Sequence, residues 1–192
     1  WPGKVAAGKV ENGLMSGLDW FPTLVAAAGN PSIKEELLKG KTVGGTTYKN
    51  HLDSYNQLDL ITGKGPSNRH EVFYFAESTL GAVRIDDYKY RFIDQPRGWV
   101  GSKQQVDAPV LTNLRLDPFE RLDYPENGTL SGSQNYFQWF QYEFWRFVFV
   151  QQEVGKLAMT ALEYPPMQKG ASFNLEAVKS QIEKAMAAQS GR

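Results

Sequence analysis

Cysteine is absent from the 192-residue sequence, which excludes disulfides, thiolate metal sites and a cysteine nucleophile, and leaves the redox compartment open. Histidine is nearly as scarce, with two residues, so an imidazole-rich metal cluster has little to draw on. Neither sign of charge predominates: 21 basic residues face 21 acidic ones, and no run of Lys or Arg is longer than two. The sequence therefore carries no electrostatic footprint for nucleic acid or an anionic membrane. A membrane span is excluded as well, because it needs about 20 predominantly apolar residues, and the most apolar stretch is interrupted by Glu143 and Arg146. Dinucleotide and phosphate-loop glycine patterns, HExxH and GxSxG elbows are all missing, and Gly44-Gly45 alone gives a phosphate cradle nothing to build on. No basic leader or initiating Met precedes Trp1, and the chain is expected to be part of a longer protein.

What the sequence has in excess is aromatic side chains. Nine of them fall between Tyr136 and Val150, in YFQWFQYEFWRFVFV. At helical spacing Phe137, Phe140, Phe144, Phe147 and Val148 continue through Val154, Leu157, Ala158 and Ala161 as one apolar stripe of about eight turns. A base- or sugar-stacking platform and a core helix remain as readings, and the balanced charge favours a helix laid against a sheet.

The sheet is legible upstream. Residues 71–76, 81–85, 88–93 and 110–116 alternate with period two, and Tyr88, Tyr90 and Phe92 share one face while Lys89 and Arg91 share the other. Asp86-Asp87 fits a tight hairpin turn, and Asp117-Pro118-Phe119-Glu120 a type I turn. Before the sheet, residues 17–29 read as a short helix with Asp19 or Thr23 as N-cap and Gly29 as its end, and residues 33–40 as another. Lys64 to His70 is polar and turn-rich, which places a boundary there: residues 1–63 and residues 64–192. After Pro165-Pro166 a second helix starts near Asn174, with Leu175, Val178, Ile182 and Met186 as its apolar face. The fold class is α+β: a four-stranded antiparallel sheet packed against a long aromatic helix, preceded by a short helical segment.

Two residues outside the core draw functional attention. His51 stands two positions from Asp53, an acid/base spacing that also serves ordinary hydrogen bonding. Trp99, in the loop from Gln95 to Ala108, is either a ligand-facing aromatic or a plug over the sheet edge.

Several motifs follow one another in a fixed order: Trp1-Pro2-Gly3-Lys4, GLDWFPTLVAAAG (17–29), LDLITGKG (58–65), GAVRIDDYKY (81–90) and LTNLRLDPFER (111–121). In that order they resemble the C-terminal part of a type I sulfatase, an arylsulfatase of the alkaline phosphatase superfamily. PPMQKGASFNLEAVKSQIEKAM (165–186) is similar to the tail of a bacterial branch of it. The resemblance implies that residues 1–63 are the tail end of the large α/β domain and residues 64–192 the smaller C-terminal subdomain. It implies sulfate ester hydrolysis by the parent enzyme, with formylglycine and Ca²⁺ as its reactive groups, and a periplasmic or secreted location.

Formylglycine is made from Cys or Ser in a C/S-x-P-x-R motif, and no such motif occurs here. The metal and sulfate ligands of the family precede its W-P-G strand, so no catalytic residue, metal ligand or cofactor is assigned to this chain. Alone it is expected to be inactive, with His51 and Trp99 at the rim of the parent's substrate pocket. The expected partner is the N-terminal sulfatase domain, with self-association through residues 1–40 in its absence. The competing expectation is a free-standing, non-catalytic module that binds a carbohydrate or a protein through exposed Trp and Tyr.

Overall fold

Ser16 opens the first regular element. Its hydroxyl accepts from the backbone N–H of Leu18, and the Asp19 carboxylate accepts in return from the Ser16 N–H, forming a capping box. Asp19 is thus the reciprocal partner in the box, and the N-cap anticipated at Asp19 or Thr23 falls to Ser16, the earliest residue with a side-chain oxygen in reach. A single 3₁₀ turn, Gly17–Asp19, leads into α1 (Trp20–Ala27), whose Pro22 sits in the first turn where its missing N–H costs nothing. Pro22, Thr23 and Ala26 face inward, whereas Trp20, Phe21 and Leu24 are exposed.

The computed structural model describes residues 1–76, 79–95, 98–121 and 130–165, and the chain divides into two compact units, Trp1–His70 and Glu71–Arg192. In the first unit α1 is followed by α2 (Ile33–Lys39), the hairpin β1 (Lys41–Val43) and β2 (Thr46–Tyr48), and α3 (Leu58–Thr62). Gly44 and Gly45 both have positive φ, the geometry a two-residue hairpin turn demands. α3 ends at Gly63 in the left-handed region, with its N–H on the carbonyls of Asp59 and Leu60.

The second unit is the expected sheet: β3 (Glu71–Ala76), β4 (Thr79–Ile85), β5 (Tyr88–Asp94) and β6 (Gln104–Asn113), antiparallel in that order. Asp86, at φ 48°, makes the tight turn between Ile85 and Tyr88. Glu120 closes the turn from Asp117, donating its N–H to the Asp117 carbonyl. The last strand runs from Gln104 to Asn113 rather than from Val110 to Leu116. Asn113 explains where it stops: its side-chain oxygen accepts from the N–H groups of Arg115 and Leu116 and turns the chain out of the ladder. β6 is an edge strand, so Pro109 within it leaves no central ladder bond unmade.

On the covered face Tyr90 and Leu111 are almost wholly buried together with Val150, and Tyr88, Phe92, Trp139, Phe140, Phe147 and Val154 pack around them. The aromatic segment is two helices, α4 (Leu130–Glu143) and α5 (Phe147–Glu163), separated by a 3₁₀ turn at Phe144–Arg146. A single stripe was expected; the tighter turn rotates its continuation. Phe144 and Val148 therefore point to solvent, and Trp139 takes a core place that helical spacing assigned elsewhere. The same turn brings Arg146 onto Glu143, three residues back, and lays its guanidinium 3.7 Å from the centre of the Tyr88 ring. The helix expected from Asn174 lies outside the described residues.

Leu111, 1 % exposed, is the natural test of this core. Leu111→Ala is expected to lower unfolding stability by about 2–5 kcal/mol in a denaturant titration; an unchanged midpoint would contradict its placement.

Candidate functional site

The one dense polar cluster among the described residues of the first unit is built around Asp19. Its carboxylate is 0 % exposed and receives a two-pronged pair from Arg69, Nε to Oδ2 at 2.8 Å and Nη2 to Oδ1 at 2.5 Å. Ser16 N–H donates to Oδ2 at 2.9 Å and Tyr55 N–H to Oδ1 at 2.8 Å. Burial by itself would raise the Asp19 carboxyl, but donation from Arg69, Ser16 and Tyr55 and the Arg69 charge outweigh it and hold the group below its ordinary value. Beside it Gln57, fully buried, gives its backbone N–H to Thr23 Oγ1 at 2.8 Å and its side chain to Ser67, and accepts from the Asn68 N–H.

Four contacts fix the segment from Asp53 to Gln57. Arg69 donates to the Asp53 carbonyl at 2.9 Å, Lys34 to the Ser54 carbonyl at 3.1 Å, Tyr55 is held by Asp19, and Gln57 by Thr23. The Tyr55 ring takes two cations, Lys34 at 4.6 Å and Arg69 at 4.8 Å from its centre. His51 lies at the entry to this clamped segment, half-buried, with Nδ1 3.0 Å from Asp53 Oδ1, while the Asp53 side chain is 58 % exposed. An imidazole oriented by a carboxylate can donate, accept or exchange a proton with a bound group. Trp99 lies in the one-turn helix Gly98–Val100 of the second unit, and its side chain is outside the described residues.

The chemistry open to the chain is bounded by its residues. Among the described residues no three His, Asp or Glu converge to hold a metal ion. In the second unit a pocket of about 220 Å³ is lined by Leu111, Asn113, Leu116, Asp117, Tyr136 and Trp139, among others.

Sequence reasoning singled out His51 and its acidic neighbour as candidates, named Asp19 only as a possible N-cap, and passed over Gln57 and Arg69. Arg69 stands in a stretch whose Pro, Gly, Ser and Asn residues read as flexible, yet it is 4 % exposed. The available signal was the capping-box spacing from Ser16 to Asp19, which marks Asp19 as anchored but does not reveal its distant partner.

Arg69→Ala would leave the Asp19 charge buried without its counter-ion, and a loss of about 3–5 kcal/mol is expected in denaturant unfolding at neutral pH. Because the folded-state value of Asp19 is depressed, its contribution is present above 3.8, the ordinary value, and is lost as pH falls through the lower folded one. The stability gap between the parent chain and Asp19→Asn should accordingly be constant near neutrality and shrink below about pH 4. A gap that widens on acidification would reverse the assignment.

No family model matches the chain. It is 32 % identical over 140 residues to arylsulfatase A of Bos taurus, covering 62 % of this chain and 24 % of that protein. It is 28 % identical over 143 residues to N-acetylgalactosamine-6-sulfatase of Canis lupus familiaris, covering 63 % and 24 %. The chain thus spans about a quarter of the length of these relatives. Its fold is shared with the PsFucS1 sulfatase from Pseudoalteromonas sp., at a TM-score of 0.59 and 24 % identity, over 88 % of this chain and 30 % of that one. The chain is thus similar in sequence to about a quarter of the length of these sulfatases and in fold to part of a sulfatase structure.

Proposed function

We propose that the chain serves an arylsulfatase-like sulfuric ester hydrolase as its structural and pocket-rim portion and does not itself cleave sulfate esters. The observation that carries this reading is the segment from His51 to Gln57. Its backbone is clamped by buried Asp19, Arg69 and Thr23, while the Asp53 side chain reaches solvent and His51 is partly open. Such a loop is suited to contacting a substrate at a fixed distance, and it lacks what the reaction centre needs, a formylglycine precursor and converging metal ligands. His51 and Trp99 are assigned to the rim, and Ca²⁺ and formylglycine to the rest of the enzyme.

The partner in this reading is the remainder of a sulfatase polypeptide. Trp20, Phe21 and Leu24 stand side by side and exposed on α1, a surface that would bury apolar area against it and would drive self-association without it. Export to the periplasm or beyond belongs to the same reading. No helix among the described residues is long and apolar enough to cross a membrane. A free-standing binding module is the second reading, and the pocket beside Tyr136 and Trp139 is the observation in its favour.

Purified chain should release no nitrophenol from nitrophenyl sulfate with or without Ca²⁺, and metal-dependent turnover would overturn the non-catalytic assignment. In an enzyme containing this portion, His51→Ala is expected to lower kcat/KM for bulky aryl sulfates by roughly three- to tenfold, the value of one hydrogen bond at the rim. Unchanged kinetics across a series of aryl sulfates would return His51 to a structural role.

A further inference from the structure

The end of β6 leaves a hollow in the second unit. Asn113 turns the chain out of the ladder, and Leu116 and Asp117, which follow it, form one side of a pocket of about 220 Å³ whose other side is α4. Leu111, Leu116, Tyr136 and Trp139 make its walls apolar and largely aromatic, while Asn113 and Asp117 supply polar groups.

The volume limits what can enter. A cavity of about 150 Å³ with apolar walls holds one benzene molecule, and pockets for drug-sized ligands begin near 300 Å³. About 220 Å³ therefore admits a single six-membered ring with a small substituent, and neither a disaccharide nor a peptide segment. Flat aromatic walls suit a flat ring. A pyranose would bring hydroxyls on every edge and leave most of them without partners against Leu and Trp.

The polar groups narrow the choice further. Asn113 and Asp117 are held together by the backbone, the Asp117 N–H donating to the Asn113 carbonyl at 2.8 Å. The Asn113 side-chain oxygen accepts from the N–H groups of Arg115 and Leu116, so its amide nitrogen, a donor, is what it can offer a ligand. Asp117 is only 9 % exposed, and its carboxylate, with about four acceptor sites, can take a hydroxyl beside the contacts it already has. A donor and an acceptor on one turn match a hydroxyl, which uses both. The same carboxylate repels an anion.

We propose that this pocket binds a neutral aryl alcohol, its ring against Tyr136, Trp139 and Leu116 and its hydroxyl donating to Asp117 while accepting from the Asn113 amide. An aryl sulfate, negatively charged and without a donor, is excluded. The assignment goes beyond the pocket-rim reading and does not rest on it: the pocket residues lie in the second unit and His51 in the first, so failure here leaves the role given to His51 standing.

Phenol, toluene and phenyl sulfate are the probes, titrated into the full chain at neutral pH, where phenol is uncharged, with calorimetry and ligand-observed NMR as readouts. Phenol should bind with a Kd of about 1 mM, the strength open to so small a ligand. It should bind about tenfold more tightly than toluene, the reverse of the order that hydrophobicity alone would give, and at least about tenfold more tightly than phenyl sulfate. Asp117→Asn should cut the preference for phenol over toluene to about twofold, and Leu116→Ala, at an exposed position, should weaken both by about threefold. Toluene or phenyl sulfate binding as tightly as phenol would overturn the proposal, as would no binding by any probe, or methyl glucoside binding in their place. Phenol binding unchanged by Leu116→Ala would also overturn it by placing the site elsewhere. The comparison of probes uses the unaltered chain and decides the matter even where Asp117→Asn does not fold.

Discussion

A carboxylate wholly removed from water stays charged only if the protein supplies the donors that water did, and Asp19 sets this condition for the first unit. Two nitrogens of Arg69 and two backbone N–H groups meet it. Each donor ties a different stretch of chain to the same pair of oxygens: the entry to α1 through Ser16, the connector through Tyr55, and the segment after α3 through Arg69. None can leave without exposing a desolvated charge, so the pair acts as a clamp whatever its net value in stability. Gln57 and Thr23 extend the same logic, fixing the backbone between Asp53 and α3 with buried bonds rather than with regular structure. That is how a segment without helix or strand is held in one place, and it is why His51 is presented from a fixed base.

The second unit solves a different problem, covering one face of an antiparallel sheet whose last strand is an edge. Tyr136 does both tasks at once. Its ring packs with Phe140 and Trp139, and its hydroxyl accepts from the Leu111 N–H at 2.9 Å and donates to the Leu111 carbonyl at 3.1 Å. A side chain thus completes the bonding of an edge residue that another strand would otherwise seek. Tyr90, opposite Leu111 in the ladder, lies edge-on to Phe147, with ring centres 5.7 Å apart, and burial pushes its hydroxyl up to about 12. On the other face Lys89 and Arg91 converge on Glu120, which draws the turn after Asp117 against the sheet.

Local rules made most of this readable in advance. Period-two alternation located the strands, Asp86-Asp87 the hairpin and Asp117-Pro118 the turn, because each depends on residues within four positions of one another. The end of β6 was misplaced because the apolar run continues to Leu116, and only the Asn113 side chain, competing for two backbone N–H groups, cuts it short. The break at Phe144–Arg146 was invisible for a related reason. No proline or glycine marks it, and its support, Arg146 lying on Tyr88, crosses from helix to sheet. Of the candidate site, His51 and Asp53 could be found as neighbours in sequence. Arg69 could not, because its partner is fifty residues away and nothing in a polar stretch distinguishes an arginine that will be buried from one that will be solvated.

These two ways of building rigidity bear on the pocket-rim role proposed for the chain. Positioning in an active site is sensitive to displacements near 1 Å, so a loop that touches substrate has to be held as firmly as the groups that react. A hydrophobic contact tolerates sliding; a two-pronged ion pair with fixed donor directions does not. Arg69 grips the Asp19 carboxylate with two nitrogens and the Asp53 carbonyl with the same guanidinium. The backbone of the residue that pairs with His51 is therefore located by the same charge that neutralises the buried acid. Folding of the first unit and placement of the His51–Asp53 pair are then coupled, and a change that loosens Asp19 is expected to loosen the segment that carries them.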